Sequence, residues 1–402
     1  MSPRAKSASA IANDNKIRDA SIDIAHSIGL QHLRFGHIVE HTSLSTGALY
    51  SRFTDHNDLI ASLWVERLRD TTFSLLHEIV NAFDSDDPQT LTKLAERLHK
   101  LSKAEWAGIE SLVIAHRIPE LEEVVSGDLV EQLREFGLTS NGERPDLRGI
   151  KVLTAISLGM ACAVNSYIDK NVDDWKAIFS IHHNTLGDLK SSDKKLVFDN
   201  TALPVLADTD DDLRNTLINA TAEVIARSGL DGATLSRIAR RARMTSGAVY
   251  TLYSTKDELI EDSLKVLTTA ARSDTTSLVR EAKDAGDPFA STMQVYPLAF
   301  EPTRRSFRQF RLEAYLSART DTNIRNILRG VYRQRMKEYD DLFGADPRFP
   351  KDVVRLIGRV GQMHPIGFSF LEQHLSNPEQ IDLSPLASAI SRNVYHALAN
   401  AN

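Results

Sequence analysis

The 402-residue sequence predicts an all-α protein made of two tandem units. Three observations carry that expectation. Apolar residues recur at helical spacing along most of the chain, and no segment alternates convincingly with period two. The chain also repeats itself: residues 16–64 align without a gap on 216–264, with identity at Ala20, Gly29, Leu30, Ile38, Gly47, Ala48, Tyr50, Leu59 and Ile60 and at the same residues numbered 200 higher. Each repeat is followed by a long stretch of amphipathic helix, roughly 130 residues at this periodicity. The domains expected in order are a disordered tail (1–15), a first helix-turn-helix domain (16–64), a helical domain (65–190), a linker (191–211), a second helix-turn-helix domain (212–264) and a second helical domain (265–402).

The N-terminal tail is small and polar and lacks the apolar stretch of a signal peptide. In the second repeat a helix starts near Asp212, with Leu217, Ala220, Val224 and Ile225 on its apolar stripe, and Gly229 ends it. Thr234 is a good N-cap for a second helix that turns Leu235, Ile238 and Ala239 inward. A break at Arg243-Met244 leads to Thr245, the cap of a short third helix through Tyr250. Thr255 and Glu258 form a capping box for a fourth helix whose Leu259 and Ile260 face the core. Two short helices joined by a tight turn, between two longer ones, make a helix-turn-helix. The tails look related as well: Glu110–Arg117 is similar to Glu313–Thr320, and Ser157-Leu158-Gly159-Met160 is similar to Arg359-Val360-Gly361-Gln362. Between them, the charged stretch from Gly187 to Asp212 contains Pro204 and reads as a linker.

Composition narrows the class. With 42% hydrophobic and 25% charged residues the chain is an ordinary globular protein. It has no run of about 18 apolar residues, so no membrane span is expected. The single Cys162 excludes an intrachain disulfide, and a cytoplasmic location is the natural expectation. The net charge of −6 hides an uneven distribution. Thr234 to Lys256 holds Arg237, Arg240, Arg241, Arg243 and Lys256 and no acid, so the remainder carries −6 − 5 = −11. A basic patch on an acidic body is the footprint of a nucleic-acid-binding module.

The string Thr234-Leu-Ser-Arg-Ile238-Ala-Arg-Arg-Ala242-Arg-Met-Thr245-Ser-Gly247-Ala-Val-Tyr250-Thr-Leu-Tyr253-Ser-Thr-Lys256-Asp-Glu-Leu259 resembles the TetR family of bacterial repressors. The resemblance covers about 50 residues in each half and is fullest in the second. It implies a ligand-responsive, DNA-binding transcriptional regulator, most often a repressor, whose later helices bind an effector and dimerise. With both halves in one chain, it implies a pseudodimer on double-stranded DNA, in which the helices 146–170 and 175–189 pack against 351–374 and 383–399. Such a protein would suit an asymmetric pseudo-palindromic operator. Association of two such chains into a further homodimer stays open.

The residues fit that reading. Thr245 caps the third helix, whose free amides suit a phosphate. Gly247 lets the DNA approach closely, or merely permits helix packing. Tyr250 either donates its phenol to a phosphate or braces the small core. Lys256 would grip a second phosphate, Ser246, Ala248 and Thr251 are placed for base edges, and Arg237, Arg241 and Arg243 would supply salt-dependent affinity. In the first repeat Ser45, Thr46, Gly47 and Tyr50 keep the pattern, but Arg34 replaces the leading Thr, and Arg34 and Arg52 are cancelled by Glu40 and Asp55. His37, His41 and His56 stand where the second repeat has Arg237, Arg241 and Lys256, so binding by this repeat is expected to weaken as pH rises through the histidine range. His37 and His41 also have the spacing of two metal ligands on a helix, but no third ligand follows; no metal and no cofactor are expected. The His182-His183 pair marks a helix end.

Phe307, Phe310, Tyr315, Met363, His364 and Phe368 are candidates to line a pocket for a small, mostly apolar effector, with Phe300 nearby and Pro365 kinking the helix; the alternative is that they are core. No P-loop, dinucleotide fingerprint, nucleophile elbow or zinc-protease motif is present, so the chain is not expected to be an enzyme. The rival reading is a helical interaction scaffold in which the first repeat, or both, has lost DNA binding.

Overall fold

The computed structural model describes residues 8–138, 146–191, 205–284, 296–343, 351–375 and 377–399. Among these residues the chain is all-α, as predicted. It divides into two compact units, one of Met1–Glu78 with Lys100–Gln132, the other of Ile79–His99 with Leu133–Asn402.

In the first unit α1 (Ala8–Ile28) ends at Gly29, whose φ of 93° suits a residue without Cβ. α2 (Phe35–Thr42), α3 (Thr46–Tyr50) and α4 (His56–Leu63) follow, and a π-helical turn, Trp64–Leu68, leads into α5 (Arg69–Asp84). Ile17, Leu30, Leu33, Ile38, Leu49, Leu59, Ile60 and Trp64 are fully buried and form the core of the small domain. α7 (Lys103–Ile114) packs on α1, and its buried Glu110 accepts the Leu30 backbone N–H at 2.6 Å. α8 (Pro119–Glu135) is tied in by Asp128, which accepts from Trp64 Nε1 at 2.9 Å. The expectation of disorder over residues 1–15 fails from Ala8 onward. There the helix is held because Asp14, 6% exposed, takes a hydrogen bond from Arg52 Nε at 2.6 Å. Residues 1–7 lie outside the described residues.

In the second unit α6 (Pro88–Leu98) packs on α9 (Leu147–Asn165) and α10 (Val172–Gly187). By length and composition alone α9 could cross a membrane, but it is buried almost throughout, as a core helix is. α11 (Asp212–Gly232), α12 (Leu235–Arg241), α13 (Ser246–Tyr250) and α14 (Lys256–Asp284) make the second small domain. Gly229, at φ 70°, breaks the helical path inside α11 where the sequence placed the helix end. α15 (Arg305–Ser317), α16 (Thr322–Phe343), α17 (Lys351–Glu372, unbroken through Pro365) and α18 (Ser384–Ala399) complete the unit. α9 lies along α17, and α10 along α18. Most of the expected linker, 192–204, lies outside the described residues; at its end Asn219 Oδ1 accepts the Ala207 N–H at 2.8 Å and Asn215 Oδ1 the Thr209 N–H at 2.9 Å.

Candidate nucleic-acid interface

α12 begins at Thr234, whose hydroxyl accepts the Arg237 N–H at 3.2 Å, and buries Ile238 and Ala239. It ends in a Schellman turn: Met244 N–H donates to Ala239 O at 2.9 Å and Arg243 N–H to Arg240 O at 3.1 Å. Arg243 occupies the left-handed position of this turn, φ 59°, where glycine is the cheaper residue. Thr245 caps α13 by accepting the Ala248 N–H at 3.3 Å. Val249 is the buried anchor of α13, while Ser246, Gly247 and Thr251 are exposed and Ala248 is half-buried. Tyr250 is 59% exposed, so its ring is not a core residue. No side chain packs on Gly247, whose added Cβ would meet only Thr245 Oγ1, its own cap, at 3.8 Å; helix packing does not explain this glycine.

α14 opens with the predicted capping box, in which Glu258 N–H donates to Thr255 Oγ1 at 3.1 Å and Thr255 N–H to Glu258 Oε2 at 3.3 Å. Beneath it a polar cluster fixes α14 to α11. Asp262 receives both arms of Arg214, at 2.8 and 2.6 Å, and the Tyr253 hydroxyl at 2.5 Å. Burial works to raise the Asp262 pKa, but the bonds from Arg214 and Tyr253 win and hold it below the ordinary carboxylate value.

The basic residues are less free than their spacing suggests. Arg241 is paired with Glu223 on α11, an acid outside the window in which the charge was counted. Arg237 Nη1 donates to Gly232 O at 2.9 Å, and Lys256 Nζ to Leu230 O at 3.2 Å. Arg240 and Arg243 are exposed at the end of α12.

The first unit has the same local geometry. Ser43, like Arg243, is left-handed at φ 60°; Ser45 accepts the Ala48 N–H at 3.2 Å; Leu49 is buried and Tyr50 is 62% exposed. The Tyr50 ring stacks edge-on against Phe35, 5.1 Å between centroids. Thr46 and Gly47 are exposed. The electrostatics differ. Arg52 is neutralised by Asp14 rather than by Asp55, because Asp55 is the N-cap of α4 and accepts the Asn57 and Asp58 N–H groups. The Arg34 guanidinium donates to the Gln31 and Leu33 carbonyls at 2.8 Å. His41 is exposed, while His37 is half-buried with Nδ1 lacking a hydrogen-bond partner. His56 is lowered below its ordinary pKa by burial and then by the Arg34 charge.

The six candidate effector residues, Phe307, Phe310, Tyr315, Met363, His364 and Phe368, are all at least nine-tenths buried. The sequence missed what surrounds His364. Its Nδ1 bonds the Tyr296 hydroxyl at 2.9 Å, and its ring meets His182 at 5.0 Å and Phe368 at 5.3 Å. His182 is not a helix end but a buried residue within α10, bonded through Nδ1 to Ile178 O at 2.8 Å. That carbonyl only accepts, so the His182 proton sits on Nδ1 and its Nε2 is an acceptor with no partner. Burial pushes His182 down to about 4 and takes His364 well below its ordinary value.

No group of three or more candidate metal ligands occurs among the described residues. No curated protein sequence matches the chain. Among solved structures the chain is similar to a transcriptional regulator from Rhodococcus sp. Rha1, at 21% identity and a TM-score of 0.36, over 46% of this chain and 96% of that one. Residues 217–262, which run from within α11 to the first turns of α14, match the family described as bacterial regulatory proteins, tetR family.

Proposed function

We propose that the chain is a ligand-responsive transcriptional regulator built as a single-chain pseudodimer, half one being residues 16–190 and half two residues 212–402. The observation that carries the DNA-binding part is α13: a capped helix presenting Ser246, Gly247, Tyr250 and Thr251 to solvent, entered through a turn that holds a cation at Arg243 in a conformation glycine would adopt more cheaply. Strain kept at an exposed arginine supports a contact role for it. The like geometry at residues 43–50 supports a second reading head, and the packing of α9 on α17 and of α10 on α18 supports a pseudodimer core. The buried aromatic and histidine cluster around His364 supports an effector site there, and release of the operator would follow from ligand favouring one spacing of the heads. Two unlike heads fit an asymmetric operator.

Selection from random-sequence duplex DNA followed by footprinting tests this. Two unequal half-sites about one helical turn apart are expected. A single half-site would mean that half two reads alone, a reading favoured by the pairing of Arg52 with Asp14 and the turning-in of Arg34. No enrichment, with or without candidate effectors, would refute DNA reading and leave the scaffold interpretation.

A further inference from the structure

We infer that the α9–α10 face of half one is shaped to accept the α17–α18 face of half two and to reject a copy of itself, so that only unlike halves pair. This rests on the duplication proposed above; all the residues concerned lie within the second compact unit.

In a true twofold dimer every contact occurs twice, because residue i meets j and j meets i. Here the similarity of Ser157–Met160 to Arg359–Gln362 sets the correspondence between α9 and α17, so Ser157 matches Arg359, Asn165 matches Gly367, and Asp169 matches Leu371. At one end of the interface α17 touches the backbone of α9. A Cβ added to Gly367 would lie 2.9 Å from Ser157 Cα, 2.5 Å from its carbonyl carbon and closer still to its oxygen. At the other end the contact is ionic. Arg359, 2% exposed, pairs with Asp169, reaches Asp174 at 3.0 Å and the Asn171 carbonyl at 3.1 Å, and is braced by the Tyr332 hydroxyl at 2.7 Å. Arg355 adds a second cation on Asp174 at 3.1 Å, and Arg329 donates to the Tyr167 and Ile168 carbonyls at 3.2 and 3.1 Å.

Both like pairings fail on these features. Two copies of half one would place Asn165 where Gly367 sits, driving its Cβ into the Ser157 backbone. Two copies of half two would bury Arg359 with Leu371 in place of Asp169; the neighbouring Glu372 is already held by Arg308. A buried cation without its carboxylate is strongly disfavoured. Steric exclusion thus works against one pairing and charge burial against the other.

The test uses the full chain with a protease recognition sequence inserted after Ser191. After cleavage and long incubation at micromolar concentration, native mass spectrometry reads which halves are together. One half of each kind, at the mass of the parent 44.8 kDa chain plus the insert, is expected as the dominant species. Pairs of like halves would overturn the inference while leaving the pseudodimer reading intact; separated halves would overturn that reading and the inference with it. The double variant Asn165→Gly, Arg359→Ser gives each position the residue of the other half, and should shift the cut protein toward a mixture of like and unlike pairs. No such shift, with the helical circular-dichroism signal retained, also overturns it. If the double variant loses that signal, Gly367→Asn is the second measurement: it should weaken the unlike pair at least about tenfold, and unchanged pairing counts against the inference.

Discussion

At Gly367 the backbone of α17 lies directly against the backbone of α9 at Ser157. Gly367→Ala places a methyl group 2.5 Å from the Ser157 carbonyl carbon and 2.9 Å from its Cα, below the 3.0 Å that real Cβ contacts respect. The obstacle is backbone, so no side-chain rotation relieves it. Restoring an ordinary 3.4 Å contact to the carbonyl carbon alone requires α9 and α17 to part by 3.4 − 2.5 = 0.9 Å along a buried seam, and the carbonyl oxygen, nearer still, requires more. Overpacking of this kind costs about 1–3 kcal/mol, and a rigid obstacle argues for the upper end. Alanine returns about 1 kcal/mol through its higher helix propensity, leaving a net loss of about 2 kcal/mol. Gly330→Ala in α16 is the control: nothing lies within 4 Å of its added Cβ, so only the propensity gain of about 0.5–1 kcal/mol remains. Guanidinium denaturation followed by far-UV circular dichroism and by the fluorescence of Trp175, buried in α10, in a background with Trp64 and Trp106 replaced by phenylalanine, should give a lower midpoint for Gly367→Ala and a higher one for Gly330→Ala. Midpoints suffice, since a chain of this size need not unfold in one step. Equal or higher midpoints for both variants would refute the close-packed seam.

Other outcomes follow from the same structure. Glu223→Gln frees Arg241, so operator affinity measured by fluorescence anisotropy should rise and its salt dependence should steepen by about one counterion; an unchanged slope would mean Arg241 does not meet phosphate. Arg243→Gly should raise thermal stability by up to about 1 kcal/mol by relieving the left-handed turn, while lowering DNA affinity; a loss of both would make the turn residue merely structural. Tyr250→Phe should leave stability within about 0.5 kcal/mol of the parent and weaken DNA binding about fivefold, the worth of one hydrogen bond. For pH, His182 binds its proton less readily folded, at about 4, than unfolded, at 6.5. Its contribution is therefore full above pH 6.5 and is lost as pH falls toward 4, an effect of roughly 3 kcal/mol. His182→Gln should flatten that part of the stability profile in urea titrations at stepped pH, and an unaltered profile would assign the acid sensitivity elsewhere.

What the sequence revealed and what it hid divide along a physical line. Thr234, Thr245 and the Thr255–Glu258 box were readable because a cap satisfies amides two or three residues away, and such bonds need no tertiary structure. Gly229 was readable because a left-handed helix end is equally local. The partners of the charges were not. Glu223 reaches Arg241 from the preceding helix, and Asp14 reaches Arg52 from a segment whose composition suggested disorder. Counting charges within a window overstated the free charge of the second head and named the wrong acid in the first. α9 packs against α6 and α17 and is buried along nearly its whole length, so it has no polar stripe to mark a surface. Met363, His364 and Phe368 stand at apolar helical spacing, which periodicity shows, but that His364 meets His182 from a helix 182 residues earlier lies beyond any periodicity.

The proposed duplication gives these asymmetries a common origin. In a homodimer each substitution appears in both subunits, so a contact must suit itself under the twofold, and the two reading heads stay identical. Joined in one chain, the halves change independently. A glycine on α17 no longer requires a glycine at Asn165, and an arginine at 359 no longer requires one at 157. The same freedom acts on the heads. The second retains cations at 237, 240, 241, 243 and 256, where the first has His37, Glu40, His41, Ser43 and His56. Counterion release scales with the phosphates neutralised, so affinity should come mainly from head two, with head one contributing register and sequence discrimination through Thr46, Gly47 and Tyr50. Replacing Tyr50 should then relax the preference at one half-site with little change in salt slope, and replacing Arg243 should flatten the slope across all sequences. Similar effects from both substitutions would mean that the heads still share the work equally, whatever their charges.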